Sequence, residues 1–314
     1  MSFDLGALQA AVAAHGRVTR VVIAAIRGSS PREVGAAMLV WDEGQSGTIG
    51  GGALEFEAAE EARKQTQKSR LTSHALGPDL GQCCGGSVTL LSETYESVDL
   101  AHLDTETVLR PVSPEAAPAP PLAMKRLMAR LRAQGQRPEP QLMDHWMLEP
   151  VHKPQIDLWI WGAGHVGRAL VEVLAPLPDL SITWVDTAPT RFPAHIPPAV
   201  TKLPAANPVL LLRHAPVNAQ HLVLTYSHEL DLALCHALLL HGFSFAGLIG
   251  SATKWARFRS RLAALGHGPA EIARITCPIG TPALGKHPQM IAVGVAAELL
   301  ARAADNEMKE ERRA

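Results

Sequence analysis

The sequence predicts an α/β protein in two parts, an N-terminal α/β domain with glycine-rich loops and a C-terminal Rossmann-like, doubly wound parallel sheet. Three observations lead there. Apolar strand-like runs alternate with helical periodicity along most of the chain. Three glycine loops each follow a strand-like run within the first hundred residues. Finally, Gly162-Ala163-Gly164-His165-Val166-Gly167 follows an apolar strand, Ile156–Trp161, and opens a helix, the strand–turn–helix setting that a dinucleotide-type glycine turn requires. A chain of 314 residues also suits two domains better than one. The expected divisions are 1–100, a connector over 101–155, the Rossmann-like domain over 156–304, and a charged tail over 305–314.

Residues 4–15 carry Leu5, Leu8 and Val12 on one helical face, with Gly16 as C-terminal cap. Residues 18–26 are β-branched and apolar, a buried strand. The loop that follows, Arg27-Gly28-Ser29-Ser30-Pro31-Arg32, is rich in hydroxyls and backbone donors. Ser29, Ser30 and Arg32 suit a phosphate or another oxyanion; the plainer alternative is a solvated turn. Residues 37–41 read as a strand and 42–44 as a turn. Gly50-Gly51-Gly52 then lead into a helix over 54–68. Glycines before a helix N-terminus leave N–H groups and a positive dipole end for an anion. Glu55, in the first turn, either complements that dipole or contacts a ligand.

Residues 71–76 form a further strand, and Gly77-Pro78-Asp79 turns into Gly81-Gln82-Cys83-Cys84-Gly85-Gly86. This stretch sets two adjacent thiols in a glycine loop, ahead of the extended run 87–91. Glycine lets backbone approach a ligand closely, and a thiolate there is a soft metal ligand or nucleophile. The bland alternative is a pair of small half-buried side chains. If the three glycine loops gather at one end of a sheet, they form one pocket. Prolines then crowd 111–121 and recur at 138, 140, 150 and 154 around a short basic helix, 124–132. That composition predicts a partly extended connector.

In the second half, residues 181–185 form a strand ending at Asp186, about 20 residues beyond Gly167, where a ribose-binding acid is expected. Strands over 222–225 and 245–249 alternate with helices over 228–240 and 254–265, and a last helix spans 288–302. Ligands of open parallel sheets bind beyond the carboxyl ends of the strands. The polar residues there are Asp186, His228 with Asp231, and Ser251 with Lys254. His228 is a general base or ligand anchor, or else a first-turn helix residue; Ser251 is most simply a cap. The turn Cys277-Pro278-Ile279-Gly280 reads as structural.

Composition narrows the function classes. The net charge of −1 gives no general surface for nucleic acid or membrane. No apolar run is long enough to span a bilayer. Four cysteines and an N-terminus without signal-peptide character predict free thiols in the cytoplasm. The absence of a Cys-x-x-Cys pair speaks against zinc.

Together these motifs resemble the xanthine dehydrogenase accessory protein family, XdhC, related to CoxI. The residues that carry the resemblance are Gly28-Ser29-Ser30-Pro31-Arg32, Gly50-Gly51-Gly52-Ala53-Leu54-Glu55 and Gly81-Gln82-Cys83-Cys84-Gly85-Gly86. In the second half they are Gly162 to Gly167, His228 with Asp231, 247–254, and Cys277-Pro278-Ile279-Gly280. The resemblance spans nearly the whole chain. It implies a cytoplasmic factor of purine catabolism, not an enzyme, that binds the molybdenum cofactor (molybdopterin). Such a factor holds the cofactor while a cysteine desulfurase-type protein replaces an oxo ligand by sulfur, then passes it to the molybdenum subunit of xanthine dehydrogenase.

The family cysteine maps onto Cys84, as a contact to molybdenum, with Cys83 its neighbour. The remaining cofactor contacts implied are Gly85, Gly86, Ser29, Ser30, Arg32, Gly50, Gly51, Gly52, Glu55, Gly162, Gly164, His165, Gly167, Asp186, His228, Asp231, Ser251 and Lys254. A cofactor-biosynthesis protein and a second copy of the chain are further candidate partners. One departure is the run Thr187-Ala188-Pro189-Thr190 after Asp186, which displaces Arg191 from where related chains place an arginine. Two other readings stand beside this one: an NAD(P)-dependent oxidoreductase, from the glycine turn, and a scaffold without a cofactor site.

Overall fold

The computed structural model describes residues 2–76 and 85–311. The chain forms two compact units, Met1–His152 and Lys153–Ala314.

In the first unit, Asp4 caps helix α1 (Leu5–His15) by accepting from the Ala7 N–H at 2.8 Å, and the helix stops at Gly16 with φ 77°. Strands β1 (Val18–Arg27), β2 (Ala37–Trp41) and β3 (Gly44–Gly47), helix α2 (Gly52–Lys64), and strands β4 (Ser69–Ala75) and β5 (Ser87–Tyr95) follow. The strands form an antiparallel sheet in the order β3-β2-β1-β5-β4. Strand β3 has no apolar alternation; its pairing with β2 alone makes it a strand, so the sequence shows only the turn before it. Helix α2 ends four residues earlier than its periodicity predicts. Gln65 is drawn out of the helix because its buried amide donates to the Ser92 carbonyl of β5 at 3.1 Å.

Strand β1 is apolar on both faces because both are covered. Val21 and Ile23 pack under α2 with Leu54, Ala58 and Ala62. Val22 and Ala24 pack with Leu91, Val112 and Met147 on the other side. That second cover corrects the sequence reading of 101–155. After a short helix α3 (Ser97–Leu100), the segment forms β6 (Thr107–Pro111), helix α4 (Leu122–Gln134), β7 (Gln141–Met143) and β8 (Trp146–Pro150). These strands make a second antiparallel sheet, β6-β8-β7. Residues 101–152 are therefore part of the first unit rather than a connector. The prolines that suggested a linker end β6 and β8 (Pro111, Pro150) or lie in the loops before α4, β7 and β9.

A buried ion cluster ties the two sheets together. Glu149 of β8 is fully buried and accepts from Arg20 of β1 at 2.7 and 3.1 Å and from Arg110 of β6 at 2.7 Å. Arg110 also grips Glu93 of β5. Burial opposes the Glu149 charge, but the two guanidiniums outweigh it and hold its carboxyl below the usual range.

The second unit holds six parallel strands. They are β9 (Ile156–Trp161), β10 (Leu180–Asp186), β11 (Val200–Pro204), β12 (Gln220–Val223), β13 (Phe245–Leu248) and β14 (Ile275–Thr276). Their order is β11-β10-β9-β12-β13-β14, the doubly wound arrangement with β9 central. Helices α5 (His165–Leu174), α6 (His228–His241), α7 (Ala252–Ala264), α8 (Pro269–Ile272) and α9 (Pro288–Glu311) complete the unit. The alternation in β9 decides the layers. Leu158 and Ile160 pack with Leu170 and Leu174 of α5 and with Val295 and Leu299 of α9. Trp159 and Trp161 pack with Leu234 and Leu238 of α6 and with Phe258 and Leu262 of α7. The expected tail at 305–314 is helical as far as Glu311, as a continuation of α9. Among the described residues no helix is long and apolar enough to cross a membrane.

Candidate functional site

In the first unit, three glycine loops meet beyond the sheet. The loop after β1 turns at Gly28 (φ 76°), and a Cβ added there would lie 3.1 Å from the Gly86 Cα. A Cβ on Gly86 would collide with the Ser29 carbonyl and lie 2.6 Å from the Arg27 oxygen. The third loop abuts the same turn, since a Cβ on Gly50 would lie 2.7 Å from Pro31 Cγ. The Leu76 N–H donates to the Gly86 carbonyl at 2.8 Å, closing the end of the β4–β5 loop. Ser29, Gly50, Gly52 and Gly85 are exposed. The result is a solvent-facing floor of backbone and small side chains. Cys83 and Cys84 lie outside the described residues, immediately before Gly85 in the chain.

Two charged groups of this floor are already engaged. Glu55 turns back over the glycine loop and accepts from the Thr48 hydroxyl at 2.5 Å, the Ile49 N–H at 2.9 Å and the Gly51 N–H at 3.0 Å. Burial raises its carboxyl, but the hydroxyl and the N–H groups outweigh it and hold the group ionised below the usual range. The carboxylate thus takes N–H groups that the sequence offered to an anion, and Glu55 stabilises the loop. Arg32 pairs with its neighbour Glu33 at 3.2 Å, and Ser30 donates to the Arg32 carbonyl at 2.9 Å. Thr48, which anchors Glu55, was not singled out from sequence; its signal is its place just before the triple glycine.

In the second unit, the three glycines of the turn meet different surroundings. Gly162 has φ 126°, and a Cβ there would lie 2.8 Å from the Leu224 carbonyl carbon. A Cβ on Gly167 would collide with the Gly162 oxygen, so only glycine lets α5 start this close to the strand. Gly164 faces open space, with nothing within 4 Å of an added Cβ. His165 is exposed at the first turn of α5.

Asp186 is buried and turned toward this loop. It accepts from the Ala163 N–H and the Thr187 N–H at 2.6 Å each, and from Arg191 Nε at 3.3 Å. Its oxygens brace the turn from behind. The displaced Arg191 does reach Asp186, and its guanidinium lies 4.4 Å over the exposed ring of Tyr226.

The ends of β12 and β13 are joined by a second acid. Asp231, fully buried, accepts from the Thr225 N–H at 2.9 Å, the Thr225 hydroxyl at 2.7 Å and Lys254 Nζ at 2.6 Å. Lys254 also donates to the Ile249 carbonyl at 2.9 Å. Asp231 and Lys254 therefore form an internal ion pair that pins α7 to α6. Ser251 caps α7 by accepting from the Lys254 N–H at 3.2 Å. His228 is exposed on α6, edge-on to Phe258 with ring centroids 6.5 Å apart. Cys277 lies beside Gly250, and burial pushes its thiol up to about 11, an unreactive thiol near neutral pH. No group of three or more His, Cys, Asp or Glu residues among the described ones is placed to hold a metal.

The chain is thus an α/β protein with a glycine-floored first unit and a Rossmann-like second unit, whose strand ends are closed by Asp186 and Asp231. Comparison with known proteins makes the assignment particular. Residues 158–299 match the XdhC Rossmann domain, and residues 11–74 match the XdhC and CoxI family. The chain belongs to the XdhC and CoxI family. It is 26% identical over 282 residues to YqeB of Escherichia coli K12, an uncharacterized protein, covering 87% of this chain but 41% of YqeB. The chain thus spans less than half the length of that relative. A solved structure from Bacillus halodurans, described as a xanthine dehydrogenase, superposes with a TM-score of 0.69 at 20% identity, covering 95% of each chain. That likeness is one of fold.

Proposed function

We propose that this protein is a non-enzymatic accessory factor of xanthine dehydrogenase maturation. It binds the molybdenum cofactor, holds it for sulfuration and delivers it to the molybdenum subunit. Family membership supports the maturation role. The observation that carries the cofactor reading is the convergence of three glycine loops on one exposed floor, from which the chain leads directly back to Cys84. A floor of backbone and small side chains lets a flat pterin approach closely. The thiolate of Cys84 is chemically a soft partner for the molybdenum–sulfur end. The site works in the cytoplasm, with a desulfurase-type sulfur donor as second partner. An open floor suits a cargo that must leave again, since release rate is where affinity is mostly tuned.

The internal commitments of Asp186 weigh against the NAD(P)-dependent oxidoreductase reading, because its oxygens face the loop rather than a ribose. The test is direct. The purified chain, thiols reduced, is titrated with molybdopterin, and Cys84→Ala is expected to weaken binding at least tenfold. No association with the wild-type chain at micromolar concentration overturns the cofactor reading; unchanged binding by Cys84→Ala overturns the thiol's role. Titration with NADH and NADPH completes the comparison.

A further inference from the structure

We propose that the cavity along α7 is a phosphate-binding site, with Arg257 and Arg261 as its anchors. The site deepens the cofactor reading and rests on it for the identity of the natural ligand, though not for the chemistry of the pocket. The cavity has a volume of about 630 Å³, within the range of small-molecule sites. Lys254, Arg257, Phe258 and Arg261 stand at i, i+3, i+4 and i+7 on α7, so they share one face. That face, with His228 of α6, lines the cavity.

The charge balance of this face is what points to an anion. Helix α7 carries four cations and no carboxylate, and no acidic residue lines the cavity. Lys254 is neutralised internally by Asp231. Arg257 and Arg261 have no ion pair among the described residues. Like charges four residues apart on a helix destabilise it. On two other helices basic residues do meet an acid: Arg63 and Lys64 of α2 share Glu60, and Arg302 of α9 pairs with Glu298. Helix α4 is also basic, but the cavity beside it includes Asp104 and Glu106.

The chemistry narrows the anion to a phosphate ester or diphosphate. Two guanidiniums one turn apart present forked donors to a doubly charged group and match phosphate oxygens in pairs. The hydroxyls of Ser251, Thr253 and Ser260 line the same cavity as further donors. Phe258, buried in the core beneath, supplies the apolar part of the lining. The pocket adjoins the carboxyl ends of β12 and β13, where α6 and α7 begin, the edge at which ligands of parallel sheets bind.

The experiment is calorimetry on the full chain with inorganic pyrophosphate as probe. The proteins compared are wild type, the double variant Arg257→Gln/Arg261→Gln, and Arg259→Gln, an exposed residue of the same helix outside the cavity lining. The double variant is expected to bind at least tenfold more weakly, and Arg259→Gln as wild type. Absence of saturable binding by wild type, or an equal loss in Arg259→Gln, overturns the site. A second arm uses molybdopterin. Pyrophosphate binding that depends on the two arginines, in a wild-type chain that takes up no molybdopterin, sustains the pocket and removes the cofactor reading. Molybdopterin bound equally by wild type and double variant, with no pyrophosphate binding, removes the pocket and leaves the cofactor reading standing.

Discussion

Replacing Gly86 by alanine isolates the packing on which the glycine floor depends. The added methyl would sit 2.6 Å from the Arg27 oxygen and 2.8 Å from the Ser29 nitrogen, and closer still to the Ser29 oxygen. All three are backbone atoms, so no side chain can swing aside. A carbon wants roughly 3.5 Å from a non-bonded heavy atom, so the 27–29 backbone must retreat by about 0.9 Å from the Arg27 contact alone. That shift drags Gly28 out of its turn and strains the Leu76 to Gly86 hydrogen bond. Overpacking of this kind costs about 1–3 kcal/mol. Gly85 is the internal control. A methyl there meets nothing within 4 Å among the described residues. Gly85→Ala should leave stability unchanged or raise it by about 0.4–1 kcal/mol through the unfolded chain. Hydrogen exchange of β1 and β5 amides, followed with denaturant unfolding, measures both variants. Equal stability of the two variants would refute the claim that the loops are in backbone contact.

Other consequences are equally open to measurement. Glu149→Gln strips the charge that serves both Arg20 and Arg110 and should cost about 3–5 kcal/mol in urea unfolding of the first unit. A Glu149→Met/Arg20→Met double variant should recover part of that, and a loss no smaller than the single one would refute the ion-pair account. His221 is fully buried, with Nδ1 accepting from Trp161 Nε1 at 3.2 Å, and burial pushes its imidazole down to about 3. A depressed histidine gives stability that is complete above its unfolded value near 6.5 and declines as pH falls toward the folded value, by about 1.4 kcal/mol per pH unit. Wild type should therefore lose about 2 kcal/mol more than His221→Phe between pH 6.5 and 5; parallel profiles would count against it. Gly167→Ala should destabilise the second unit by about 1–3 kcal/mol, because its methyl meets the Gly162 carbonyl. Gly164→Ala, with open space around it, should melt as wild type. If the two variants melt alike, the separate roles of the turn glycines are wrong.

The residue pattern alone determined the Rossmann half. Leu158 and Ile160 alternate with Trp159 and Trp161, and the glycine turn follows at once and opens a helix, so short-range rules suffice to place strand, turn and helix. It also marked the glycine loops, and in two of them Gly28, Gly50, Gly51 and Gly52 hold positive φ values that other residues resist. What only the tertiary structure decided is where charges and edges find partners. The segment 101–152 reads as a linker because nothing local shows that Glu149 will meet Arg20, 129 positions away in the chain. Likewise the sequence leaves Glu55 open between a helix-dipole role and a ligand contact and places Asp186 at a strand end, while the fold turns the oxygens of both onto N–H groups of the glycine loops. An ionised side chain takes whichever partner the packed chain brings within about 3 Å, and sequence spacing carries no record of that distance.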